Sequence, residues 1–183
     1  MTLDELALKY DTDKGSQVHN YCGIYEEIFK DIKPRALLEI GIYEGASLRM
    51  WRDFFPNTRI YGIDLNPDHC FNEGNITSFE VDQSDPFYMN FIGSQICDIN
   101  GKRPALDIVI DDGSHDVNHQ EISFIALYDR LEKNGIYVIE DLNKEKIELL
   151  RERLKGYNPE IIIAKPTVET PFDDHGLLVI RKK

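Results

Sequence analysis

Cysteine is scarce. Cys22, Cys70 and Cys97 are the three in 183 residues. An odd, widely spaced set is neither a zinc-ligand pattern nor a disulfide framework, so a reducing compartment is expected. Basic charge is short as well: 21 Lys and Arg face 33 Asp and Glu, for a net charge of −12. That balance argues against nucleic acid or an anionic membrane as the main partner, although a local basic patch is compatible with it. No apolar run approaches the ~18 residues that span a bilayer. The opening MTLDELALKYD is amphipathic and acidic, without the basic start and apolar centre of a secretory signal. A soluble, cytoplasmic protein without membrane insertion is therefore expected. Repeats, low-complexity tracts and linkers are missing too. With 42% apolar residues the chain can bury a core without staples. The simplest reading is a single domain over 1–183, with a helical cap or flap at 1–33 and the core at 34–183.

What is present is alternation. Short β-branched runs occur at ALLEI (36–40), RIYGIDL (59–65), ITSFEVD (76–82), LDIVIDD (106–112), GIYVIEDL (135–142), EIIIAK (160–165) and GLLVIRK (176–182). Stretches with helical spacing separate most of them, among them 47–55, 120–131 and 144–154. This pattern predicts an α/β fold, a seven-stranded, mostly parallel sheet with helices on both faces. Only about ten residues, including Pro166 and Pro171, part the last two runs, too few for a crossover helix. The last strand is therefore expected to be reversed, in a hairpin-like pair. Residues 1–33 are expected to be mostly helical, with a turn at DTDKGS (11–16).

LLEIGIYEGAS (37–47) is a strand running into E-x-G-x-x-x-G and then a helix. Glycines let a backbone turn tightly and a ligand lie against it, and the helix N-terminus offers free N–H groups. The dinucleotide fingerprint G-x-G-x-x-G fails here, as does the GxxxxGK phosphate loop. The second strand ends in Asp64, where an acid can accept both hydroxyls of a ribose. The third ends in VDQSD, with Asp82 and Gln83 set to meet an adenine edge. Each acid alone could be a helix cap; in this order on three successive strands they point to an adenosine-containing ligand.

These features resemble the class I S-adenosylmethionine-dependent methyltransferases over roughly residues 35–183. The family's commoner loop has a third glycine where this chain has Tyr43. The resemblance implies a Rossmann-like sheet and S-adenosylmethionine as cofactor. The expected cofactor contacts are Lys14, Tyr21, Glu39, Gly41, Gly45, Ser47, Asp64, Leu65, Asp82, Gln83 and Asp111.

Two neighbouring runs end in paired carboxylates: Asp111 and Asp112, then Glu140 and Asp141. In this fold they reach one sheet edge, where they repel unless something positive sits among them. Hard oxygen ligands suit Mg²⁺, Mn²⁺ or Ca²⁺. His115 follows Asp112 by three residues, and the spacing suggests the first turn of a helix. An unperturbed imidazole titrates at about 6.5 and can take a proton near neutrality. A polarised hydroxyl, a base and a sulfonium methyl together describe O-methyl transfer. His119, at i+4 from His115, reads as structural.

The stretch DDGSHDVNHQEISFIALYDRLEKNGIYVIEDL closely resembles metal-dependent sugar O-methyltransferases of the mycinamicin, macrocin and rhamnosyl type, and TDKGSQVHNYCGIYEEIF (12–29) resembles their N-terminal signature. The resemblance implies Asp112, Glu140 and Asp141 as ligands of Mg²⁺ (or Mn²⁺) and His115 as general base, with Asp112 sharing in catalysis. The N-terminal segment could then be a flap, Lys14 pairing with the cofactor carboxylate and His19, Tyr21 and Tyr25 lining the pocket, or simply a packed cap.

The expected acceptor is a sugar or glycan hydroxyl, on a deoxyhexose such as rhamnose. With no long insertion to engulf a small molecule, the site is expected to be open unless a second copy in a homo-oligomer supplies a lid. The alternatives are a cephalosporin-hydroxylase-like tailoring protein, a methyltransferase acting on a catechol-type molecule, and a non-catalytic binder that keeps the fold.

Overall fold

The computed structural model describes residues 1–101, 105–167 and 173–183; Pro171, expected in the last connection, lies outside them. The chain runs α1 (Leu3–Tyr10), α2 (Cys22–Phe29), β1 (Ala36–Ile40), α3 (Ala46–Phe54), β2 (Arg59–Asp64), β3 (Asn72–Glu73) and β4 (Ile76–Glu80). It continues through α4 (Pro86–Asn100), β5 (Leu106–Asp111), α5 (Val117–Tyr128), β6 (Leu131–Leu142), α6 (Lys144–Arg153), β7 (Glu160–Ile163) and β8 (Gly176–Arg181). The strand order is β3-β4-β2-β1-β5-β6-β8-β7.

The α/β expectation holds, with two differences. Among the described residues the sheet has eight strands, because β3, two residues long, pairs antiparallel with β4. The reversed strand β8 is last in sequence but lies between β6 and β7, antiparallel to both. All pairings among β4, β2, β1, β5 and β6 are parallel.

Side-chain alternation splits each central strand between two cores. Leu37, Ile60, Ile108, Val138 and Val179 pack with α1, α2 and α3, including Tyr25, Phe29 and Trp51. Leu38, Tyr61, Val109, Tyr137 and Ile180 face α4, α5 and α6, including Met89, Phe124 and Leu150. The N-terminal helices are thus part of one covering layer, and the turn between them reaches over the carboxyl edge of the sheet. Caps set where the edge helices begin: Asp85 accepts from the N–H groups of Phe87 and Tyr88, Asp116 from those of Asn118 and His119. Among the described residues no helix is long and apolar enough to cross a membrane.

Candidate functional site

The loop from β1 to α3 depends on glycine at two points. Gly41 holds φ +93°, and a Cβ there would lie 2.1 Å from the Asp112 carbonyl oxygen, so only glycine lets the β1 and β5 ends close together. Gly45 caps α3 at φ +75°, where a Cβ would lie 2.4 Å from the Phe71 ring. Tyr43 occupies the place of the commoner third glycine and itself adopts φ +48°. Asp64, at the end of β2, organises this loop. Its Oδ2 accepts from the N–H groups of Ile42 (2.8 Å) and Tyr43 (3.1 Å), and its Oδ1 from that of Asn66 (2.8 Å). Burial pushes the Asp64 carboxyl up, but these N–H groups and His69 outweigh it and hold it below the usual carboxylate range. His69, whose Nδ1 is 3.1 Å from Asp64 Oδ1, escaped the sequence reading.

Two cavities meet at this edge, sharing Gly41, Asp64 and Gly113. The first, about 410 Å³, is acidic: Asp11, Asp13, Glu44, Asp64, Asp112 and Asp141 line it with Ser47, His69 and His115. The second, about 340 Å³, is more apolar, with Ile40, Ile63, Leu65 and Val81 beside Asp82, Gln83, Ser114 and His119. Asp82 Oδ1 accepts from the Ser84 N–H (2.8 Å) and hydroxyl (2.6 Å). The Gln83 amide is engaged on both sides, donating to Asp111 Oδ1 (2.6 Å) and accepting from the Ser114 N–H (3.0 Å). His119 lies 2.9 Å from the Ser114 hydroxyl.

The four strand-end acids do not act as one group. Asp111 lines neither cavity. It is buried beneath Gln83 and the Tyr137 hydroxyl (3.3 Å), and burial pushes it up to about 7, which corrects its expected place against a cofactor. The positive charge among the other acids is Lys14. Its ammonium, 1% exposed, donates to Asp112 Oδ2 and Glu140 Oε2 and lies 3.4 Å from Glu39 Oε1. Burial alone would push Lys14 down; the facing Asp112, Glu140 and Glu39 hold it well above the ordinary range. Lys14 therefore points into the acid cluster, not out to a cofactor carboxylate.

Tyr25 donates to Glu140 Oε1, and Tyr21 to Asp141 Oδ1 (2.9 Å). Both phenols are buried under the cavity floor and line neither cavity, and burial raises both. Glu39 is likewise enclosed, accepting from the Ser47 hydroxyl (2.8 Å), and burial pushes it up to about 7. Burial also lifts Glu140 well above the carboxylate range and Asp141 to about 7.

On the cavity side, ligand atoms of Asp112, His115 and Asp141 converge within 4.8 Å of one another; on the closed side those of Glu39, Asp112 and Glu140 do the same. Asp112 belongs to both sets. His115 precedes Asp116, the N-cap of α5, so it lies in the loop and not in the first helical turn. Its Nε2 is 3.9 Å from Asp141 Oδ2, and its buried Nδ1 has no hydrogen-bond partner among the described residues. Asp141 sits where the β6–β8 register shifts between Ile139 and Leu142, a bulge that re-aims its side chain. Tyr43, His115 and Asp141 all hold left-handed φ, 48°, 56° and 57°, and all line the acidic cavity. Such backbone strain concentrates at functional sites. The carboxylate oxygens of Asp112 and Asp141, from two strand ends beside an open cavity, fit a hard divalent cation.

No family model matches the chain. Among curated proteins it is 36% identical over 149 residues to the 8-demethyl-8-(2-methoxy-alpha-L-rhamnosyl)-tetracenomycin-C 3'-O-methyltransferase of Streptomyces olivaceus. It is equally identical over 149 residues to the mycinamicin VI 2''-O-methyltransferase of Micromonospora griseorubida. Each match takes in 76% of this chain and 36% of the relative, so the chain spans about a third of the length of the curated relatives it matches. Among solved structures, the MycE methyltransferase of the mycinamycin pathway, in complex with Mg and SAH, superposes with a TM-score of 0.78 at 28% identity over 100% of this chain and 55% of that one. A putative caffeoyl-CoA O-methyltransferase from Staphylococcus aureus, at 14% identity and TM-score 0.61, shares the fold.

Proposed function

We propose that this chain, a relative of sugar O-methyltransferases over three quarters of its length, carries out S-adenosylmethionine- and Mg²⁺-dependent O-methylation of a sugar hydroxyl. The observation that carries the proposal is the convergence of Asp112, His115 and Asp141 at the mouth of a cavity running back to Gly41 and Asp64. The donor would supply a sulfonium methyl, and the cation would stabilise a developing alkoxide and offset the acids' charge.

Adenosine is assigned to the second cavity, against Leu65 and Asp82, with the Gln83 amide serving to hold that wall. Asp64 has about one acceptor site left beyond its three backbone partners, on the Oδ1 that His69 faces, and would accept there from a ribose hydroxyl. Gly41, Gly45 and Ser47 shape the methionine end, with Glu39 buttressing Ser47 from beneath. Asp112 and Asp141 would hold the cation from the cavity side and Glu140 from behind, where Lys14, Tyr21 and Tyr25 fix the carboxylates. His115 reaches the cavity from its strained loop and would take the proton from the acceptor oxygen. The donor would give up its methyl to that oxygen and be left as a neutral thioether. The open, acidic mouth suits a hydroxyl-rich, uncharged acceptor such as a deoxyhexose better than an anionic one. Net charge −12 and three free cysteines support work in the cytoplasm without a nucleic acid partner.

A labelled-methyl assay against free and glycosylated deoxysugars tests this. Incorporation should need Mg²⁺ and vanish with EDTA or Asp112→Ala. His115→Ala should cut turnover by roughly 10²–10⁴-fold while S-adenosylhomocysteine affinity stays nearly unchanged. Transfer that persists through chelation and Asp112→Ala would refute the metal role.

A further inference from the structure

Beside the acid cluster lies a second group of ligands with different chemistry. We propose that His19, Asp174 and His175 form a separate site for a borderline divalent metal, with Zn²⁺ as the reference ion. His19 follows the turn that carries Lys14; Asp174 and His175 immediately precede β8. The Nδ1 atoms of the two histidines are 3.1 Å apart, and a carboxylate oxygen of Asp174 lies within 4.8 Å of both ligand nitrogens. Ligand atoms on a tetrahedral zinc with bonds of about 2.0–2.1 Å sit roughly 3.3 Å from one another, so the nitrogens already have about that spacing, with the carboxylate oxygen close by.

One further observation points the same way. Asp174 Oδ1 is buried and has no hydrogen-bond partner among the described residues, a cost that an ion would remove. Two imidazoles and one carboxylate favour Zn²⁺, Co²⁺ or Ni²⁺ over Mg²⁺, which the all-oxygen cluster next door prefers. Three protein ligands leave a fourth position for water.

The consequence is mechanical. Tyr21 donates to Asp141 Oδ1 (2.9 Å) and to the Asp174 carbonyl (3.1 Å), and His19 Nδ1 is 3.7 Å from Asp141 Oδ1. An ion here fastens the segment bearing Lys14 and Tyr21 to the start of β8, directly over the acid cluster. The inference rests on these side chains and not on the methyltransferase reading.

The test uses the full chain, stripped with chelator and held in excess Mg²⁺, then titrated with Co²⁺. One equivalent should bind, with the visible absorption of a four- or five-coordinate ion, and Zn²⁺ should displace it. His175→Gln and Asp174→Asn, each checked for native circular dichroism, should weaken Co²⁺ binding by more than the roughly 10–100-fold that losing an outer-shell partner costs. Asp112→Asn should leave it intact. Absence of stoichiometric Co²⁺ binding by the wild-type chain overturns the proposal and reveals a plain hydrogen-bonded imidazole pair. Binding lost in Asp112→Asn but kept in His175→Gln also overturns it, since the ion then sits among the acids.

Discussion

Lys14 has almost no solvent and three carboxylates within 3.4 Å. Taking an ammonium and several carboxylates out of water is costly, and mutual attraction offsets the cost only while all partners are present. Removing the lysine should therefore leave Glu39, Asp112 and Glu140 facing one another uncompensated. Lys14→Met is expected to lower the stability of the metal-free chain by about 3–5 kcal/mol, the usual loss when one partner of a buried pair is deleted. Urea denaturation measures this, and added Mg²⁺ should recover part of the loss; an unchanged midpoint would mean the acids are neutral without Lys14. The need for a positive charge among the strand-end acids was legible in the sequence. Its source was not, because Lys14 is 98 and 126 residues from Asp112 and Glu140. Asp111 reads identically to Asp112 along the chain, yet strand alternation turns it into the core.

At the scale of elements, the glycine loop was visible as an apolar strand, two glycines and a helix. What the sequence could not convey is how tightly β1 and β5 close. Gly41→Ala would drive its Cβ to 2.1 Å from the Asp112 carbonyl while keeping a left-handed backbone. The expected result is a loss of about 1–3 kcal/mol in stability, from overpacking and backbone strain. A sharp fall in S-adenosylhomocysteine affinity by calorimetry should accompany it, whereas wild-type-like binding would show that the loop relaxes elsewhere. Two features were missed for want of periodic signal. β3 is two residues long, too short to alternate. The bulge near Asp141 depends on β8 lying against β6, a pairing between segments more than 30 residues apart. Tyr43 shows the opposite situation: the sequence departs from the commoner loop, but the backbone keeps the left-handed turn that a glycine would supply.

For the molecule as a whole, buried acids couple folding to pH. Burial pushes Glu39 from an ordinary value of 4.5 to about 7, against the pull of Lys14. The folded chain therefore holds a proton that the unfolded chain has released. This contribution to stability is full below about pH 4.5 and is lost as pH rises through about 7. The metal-free chain should accordingly lose stability relative to Glu39→Gln between those limits. Denaturation midpoints of both proteins across that range check it; parallel profiles would mean Glu39 is ionised when folded.

The sequence by itself determined the kind of sheet, the loop at its first strand and the residue types gathered at its carboxyl edge, because strand–helix alternation and strand-end acids are local patterns written in consecutive residues. Tertiary structure decided which of those acids face the cavity, which lysine neutralises them, and that two histidines 156 residues apart meet beside them. Such outcomes depend on which face of a strand a residue occupies and on how distant segments pack, and neither is encoded within any one stretch of the chain.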